Sequence, residues 1–134
     1  MRLVDTCGWI EWLTDGALAR AFAPYLSPPE QLVVPTTLQF ELYKWVSRET
    51  DEALALEMIG LSQRGRVVPL TTTLALRAAD VARNHGLAFA DAVIYASCLQ
   101  EKCPLITCDP CFTGLPRVVM LPKPVRAAQP LRST

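Results

Sequence analysis

Apolar and polar residues follow one another along the chain in blocks whose lengths and spacings sort into two kinds of element. Short runs at residues 2–5, 31–34, 66–70, 105–107 and 118–121 are rich in leucine and β-branched residues and read as buried strands. Between them lie longer stretches with apolar positions three and four apart, the mark of helices packed on one face. Trp9, Ile10, Trp12 and Leu13 follow Thr6-Cys7-Gly8 as a short amphipathic helix, and residues 17–26 repeat the pattern until Ser27-Pro28-Pro29 breaks it.

After the second strand, Pro35 with Thr36 and Thr37 is expected to open a helix at its first turn, running through about Ser47. Glu41 lies on that helix three residues after Leu38 and four before Trp45, so it shares an apolar face and needs a partner there. Asp51 is the expected cap of the next helix, whose stripe of Leu54, Met58 and Leu61 ends near Gly65. The third strand leads to Thr71-Thr72-Thr73, a cap for a helix with Leu74, Ala78, Val81 and His85 on one side and Gly86 as its stop. The sixth helix is predicted over Phe89 to Glu101, with Asp91 in its first turn and Ile94, Tyr95 and Cys98 along the same stripe. Strands alternating with helices predict a parallel sheet covered on both faces, in which ligands bind at the carboxyl ends of the strands.

Composition narrows the class. At 134 residues, half of them apolar, the chain is one domain over residues 1–122 with a proline-containing tail at 123–134, marked by Pro124 and Pro130. No apolar run reaches the roughly 18 to 20 residues that span a bilayer, and no basic-then-apolar leader opens the chain, so a cytoplasmic protein is expected. Five cysteines make an odd count, which favours free thiols over a disulfide framework. The formal net charge is zero, yet if Asp5, Glu41, Asp91 and Asp109 gather in one place, nine acids remain against thirteen Lys and Arg. That distribution suits an anionic ligand laid across a cation-loaded acidic centre.

Two chemistries compete at Pro104 to Phe112. The apolar strand ends at Asp109-Pro110, delivering a carboxylate to the sheet edge, while Cys108 and Cys111 form a C-x-x-C pair. Asp5 follows the first strand as Asp109 follows the fourth, so a parallel sheet projects both from one edge. Glu41 and Asp91 stand on helices that can meet that edge. Each acid also has a plainer role: Asp5 and Asp109 as helix caps, Asp91 as a first-turn acid favoured by the helix dipole, and Glu41 paired with an arginine. An oxygen-only cluster selects Mg²⁺ or Mn²⁺, since zinc sites recruit His or Cys. A dithiol function is opposed by Asp109, whose charge between the cysteines raises their pKa. A structural zinc site from Cys98, Cys103, Cys108 and Cys111 lacks a second C-x-x-C, and the single His85 at a helix end removes His-dependent triads.

The sequence resembles the PIN domain family and, within it, the small VapC-type ribonuclease toxins of toxin–antitoxin pairs. The resemblance runs through Leu3-Val4-Asp5-Thr6 with Trp9-Ile10-Glu11, Pro35 to Glu41, Leu87 to Tyr95 around Asp91, and Ile106-Thr107-Cys108-Asp109 with Phe112. It implies a three-layer α/β/α domain with about five parallel strands and hydrolysis of RNA phosphodiesters with one or two Mg²⁺ or Mn²⁺ ions. The metal-binding acids fall at Asp5, Glu41, Asp91 and Asp109, with a hydroxyl near the site at Thr107 and Thr6 as a second candidate. A cognate antitoxin and a homodimer come with it. The cysteines flanking Asp109 depart from the family pattern, and their replacement by serine is expected to leave nuclease activity largely intact. Two alternatives remain at this point: a non-catalytic version of the fold that binds RNA or a protein, and a thiol redox protein.

Overall fold

A computed structural model describes residues 1–123. The expected tail lies outside the described residues from position 124 onward. Five parallel strands form the middle layer: β1 (Leu3–Val4), β2 (Val33–Pro35), β3 (Arg66–Val68), β4 (Leu105–Thr107) and β5 (Val118–Met120). β1, β4 and β5 pair in that order, β2 pairs with β3, and a parallel bridge between Arg2 and Leu32 joins the two groups edge to edge. The spatial order is therefore β3-β2-β1-β4-β5, with the N-terminal strand in the centre.

Six helices cover the sheet: α1 (Thr6–Leu13), α2 (Ala19–Leu26), α3 (Thr36–Glu49), α4 (Glu52–Ser62), α5 (Thr72–His85) and α6 (Phe89–Glu101). Successive helices pack as pairs, α1 on α2, α3 on α4 and α5 on α6. Since crossovers between parallel strands are right-handed, the steps β1 to β2 and β2 to β3 carry their helices to one face. The return from β3 to β4 carries α5 and α6 to the other, giving three layers. α6 lies against α5, α3 and β2, and its residues 92–98 are buried on every side.

Local chemistry sets most boundaries. Asp51 caps α4 by accepting from the Leu54 amide at 2.7 Å, Thr71 caps α5 through the Leu74 amide, and Gly86 ends α5 in the left-handed region at φ 66°. Two expectations need correction. β2 begins at Val33 because Pro29–Gln31 is a 3₁₀ turn, and Pro35 is the last strand residue in extended geometry, with α3 starting at Thr36. Of the tryptophans, only Trp9 is fully buried, whereas Trp12 and Trp45 are half-buried at the rim.

Two contacts fix the elements that carry acids. Gly8 lets α1 lie flush on β1 and α2, since a Cβ there would stand 2.6 Å from both the Phe22 ring and Val4 Cγ1. The Tyr95 hydroxyl donates to the Pro116 carbonyl at 2.9 Å and its ring packs 6.3 Å from Phe112, which ties α6 to the segment after β4.

Candidate active site

Asp5 is the residue at which β1 becomes α1. Its extended backbone ends the strand, and Oδ1 accepts the Thr6 amide at 2.8 Å, so the capping role read from the sequence is real. The second oxygen is taken as well: Oδ2 accepts from the Thr107 hydroxyl at 2.7 Å and, more weakly, from the Cys7 thiol at 3.6 Å. Asp5 is 4% exposed, and burial pushes its carboxyl well above the usual carboxylate range; the Asp91 charge acts the same way, against the hydrogen bonds from Thr107 and Thr6.

Thr107 ends β4 and serves both sides of the sheet edge. While donating to Asp5, its oxygen accepts the Asp109 amide at 2.9 Å. Asp109 in turn caps the 3₁₀ turn Pro110–Phe112, accepting from the Cys111 amide at 3.0 Å. Here too the plain capping role and the convergence on the site coexist in one side chain.

Glu41 comes from the second turn of α3. Its partner is not an arginine: Oε1 accepts from the Thr6 hydroxyl at 2.8 Å. Burial raises its pKa, the Thr6 bond opposes this, and the charges of Asp91 and Asp109 add to the rise. Asp91, in the first turn of α6, is raised by burial and then by Asp109. The carboxyls therefore feel one another across a single cleft of about 360 Å³, lined by Asp5, Glu41, Asp91 and Asp109 at the strands' carboxyl ends.

Within the cleft the spacing is uneven. Asp91, Asp109 and Cys111 bring ligand atoms within 4.8 Å of one another, the one such group of three or more among the described residues. Asp5 and Glu41 stand outside that group, held by Thr6 and Thr107. Cys111 was not foreseen here: it is exposed, donates to Asp109 Oδ1 at 2.8 Å and to Asp91 Oδ2 at 3.5 Å, and burial together with those carboxylates pushes its thiol up to about 12.

Cys108 points elsewhere. It is buried, its amide donates to Cys7 Sγ at 3.4 Å, and a hydrogen bond with the Cys7 thiol lowers its pKa while raising that of Cys7. The expected rise of both thiols beside Asp109 therefore holds for Cys111 and not for Cys108, whose partner is Cys7, a hundred residues away. The two thiols of the C-x-x-C pair have different partners, and Cys98 donates to the Cys103 carbonyl at 2.7 Å, so no four-cysteine group forms among the described residues. His85 lies outside the cleft, edge-on to Tyr95 at 5.8 Å.

The sequence match agrees with this geometry. A PIN domain family profile covers residues 2–117. The chain belongs to the PIN domain family. Among solved structures, this PIN domain is similar to a toxin–antitoxin complex from Klebsiella pneumoniae, at 21% identity and a TM-score of 0.76 over 90% of this chain and 97% of that one. It is also similar to Mycobacterium tuberculosis VapC20, a Sarcin–Ricin loop cleaving toxin, at 21% identity and a TM-score of 0.65 over 80% of this chain and 87% of that one. DNA-bound VapBC from Salmonella typhimurium matches at 13% identity and a TM-score of 0.66 over 92% and 100%. A search of curated proteins gives no match. No helix among the described residues is long and apolar enough to cross a membrane.

Proposed function

We propose that this PIN domain is a metal-dependent endoribonuclease that hydrolyses RNA phosphodiester bonds, acting as the toxin of a toxin–antitoxin pair and as a homodimer. The observation that carries the reading is the convergence of Asp5, Glu41, Asp91 and Asp109 on one cleft at the carboxyl ends of the strands. Support for the biological setting comes from the neighbours, which include toxin–antitoxin complexes and a Sarcin–Ricin loop cleaving toxin.

The donor set fits a hard divalent cation. Carboxylate oxygens of Asp91 and Asp109 lie within 4.8 Å of each other, and Glu41 and Asp5 line the same cleft. Mg²⁺ or Mn²⁺ bound there would supply Lewis-acid stabilisation of the phosphoryl oxygens and a water of lowered pKa. The chain's own residues do the positioning. Asp5, with both oxygens engaged, is held in one orientation, and Thr107 positions it. Glu41 and Asp91 each have one side-chain partner and a pKa raised by burial, so either can accept a proton in the cleft, whereas both oxygens of Asp5 are engaged.

The test is cleavage of a mixed RNA pool with Mg²⁺ or Mn²⁺ and with EDTA, on the wild type, Asp5→Asn and Asp91→Asn. Cleavage should require the ion and fall at least about a hundredfold in both variants. Cleavage that survives chelation and both substitutions would overturn the reading. Replacement of Cys108 and Cys111 by serine separates the redox alternative, because it removes the thiols without adding bulk beside Asp91 and Asp109 and should leave metal-dependent cleavage in place.

A further inference from the structure

The acidic cleft has a second half. Its wall continues along α3, where Phe40, Lys44, Trp45 and Arg48 line the same opening as Glu41. At about 1.5 Å of rise per residue, Lys44 stands about 4.5 Å and Arg48 about 10.5 Å along the helix axis from Glu41. Phe40 is 65% exposed and is not among the apolar residues packed against the core, so folding does not account for its place. Lys44 Nζ sits 5.9 Å from the Phe40 ring centroid and has no carboxylate within salt-bridge distance among the described residues. Among the described residues Arg48 pairs only with its exposed neighbour Glu49, a contact that holds it weakly.

An acid cluster, an open aromatic ring and two free or weakly held cations along one wall match the repeating chemistry of a polynucleotide. Cations neutralise phosphates and release counterions, and an exposed ring offers a stacking platform of the kind any base can use. A duplex hides its base faces, so the ring can engage only a strand whose bases are unpaired. Phe, Trp and Arg are also common in protein interfaces, but lysine is depleted at their centre, and here Lys44 stands over the exposed Phe40 ring, which favours a polynucleotide.

We propose that Phe40, Lys44 and Arg48 form a subsite for single-stranded RNA beside the acids, with Phe40 stacked on a base and the two cations on phosphates adjoining the one at the carboxylates. This takes the ribonuclease reading for the identity of the polymer, whereas the subsite itself is tested without cleavage.

The experiment is fluorescence anisotropy of a labelled single-stranded RNA of mixed sequence, about twelve nucleotides long, in EDTA across several salt concentrations. Phe40→Ala should weaken binding about tenfold while Phe40→Tyr keeps it. The double variant Lys44→Ala with Arg48→Ala should weaken it at least about tenfold and reduce the salt slope by about 1.4. The duplex of the same sequence should bind less tightly than the single strand. All three positions are on the surface or rim, so unchanged melting curves verify folding in each variant. Wild-type affinity in Phe40→Ala and in the double variant, the result expected of a wall built for a protein, overturns the subsite, as does failure of the wild type to bind. If the wild type cleaves RNA with Mg²⁺ while the wall variants bind normally, the nuclease reading stands and the subsite falls. If binding depends on these residues but no cleavage occurs, the reverse holds.

Discussion

The hydroxyl of Thr107 donates to Asp5 Oδ2 at 2.7 Å across 102 residues of chain, and through the same oxygen receives the Asp109 amide. One side chain therefore orients two of the candidate ligands. Thr107→Val keeps the shape and removes both bonds, leaving a buried carboxylate short of a donor. It should lower stability by about 1–3 kcal/mol and cleavage by about 10–100-fold, with Thr107→Ser close to wild type. Chemical denaturation and single-turnover cleavage check the two effects; equal losses in Val and Ser would remove the hydroxyl from the account.

Asp5, Glu41 and Asp91 all have folded pKa values above the ordinary carboxylate value, with burial as the leading cause in each. A carboxyl raised on folding contributes stability that is complete below its unfolded pKa and is lost as pH rises through its folded value. The metal-free protein should accordingly melt higher at about pH 5.5 than at about pH 7.5, and saturating Mn²⁺ should recover the loss at the higher pH by binding the ionised cluster. Thermal melts in EDTA and in Mn²⁺ at both pH values decide the matter, and a metal-free protein more stable at pH 7.5 would contradict the account.

Cys111 acts toward Asp91 and Asp109 as a neutral donor, since its thiol is pushed up to about 12. Serine can donate in the same way. Cys111→Ser should keep Mg²⁺-dependent cleavage within about threefold of the wild type. Although exposed, the thiol should react slowly with iodoacetamide at neutral pH, because only thiolate attacks; mass spectrometry of partially alkylated protein reads this directly.

Gly8 predicts an inversion of the usual helix rule. Alanine in place of a helical glycine ordinarily gains up to about 1 kcal/mol. In α1 the added methyl meets Phe22 and Val4 at 2.6 Å, so overpacking of about 1–3 kcal/mol should outweigh the gain and lower the melting temperature.

Where side-chain pattern and turn chemistry coincide, the sequence was sufficient. The bounds of α6 and β4 follow from an apolar stripe and from a run closed by Pro104 and Asp109, and the caps at Asp51, Thr71 and Gly86 are where their residue types place them. Pro35 was misplaced by one position because a proline suits either the end of an extended segment or the first helical turn, and only the pairing of Pro35 with Val68 decides. The convergence of four acids was legible from strand ends and helix starts. Their uneven spacing was not, since it depends on the 3₁₀ turn after Asp109, whose three residues carry no periodicity and yet aim Cys111 at Asp91. The contact of Cys7 with Cys108 has no local signal at all.

The N-terminal strand sits at the centre of the sheet, and its partner β4 is among the last elements in the chain. Synthesis therefore delivers Asp5 first and its fastening at Thr107 only after some hundred further residues. A growing chain holds three of the four acids before it can hold them together, and the centre cannot assemble until β4 has left the ribosome. A fragment ending before Leu105 should neither bind Mn²⁺ nor cut RNA, a result that isothermal titration and a cleavage assay on the purified fragment would establish. The order of the strands thus places a delay between translation and completion of the acidic cleft, built from topology alone.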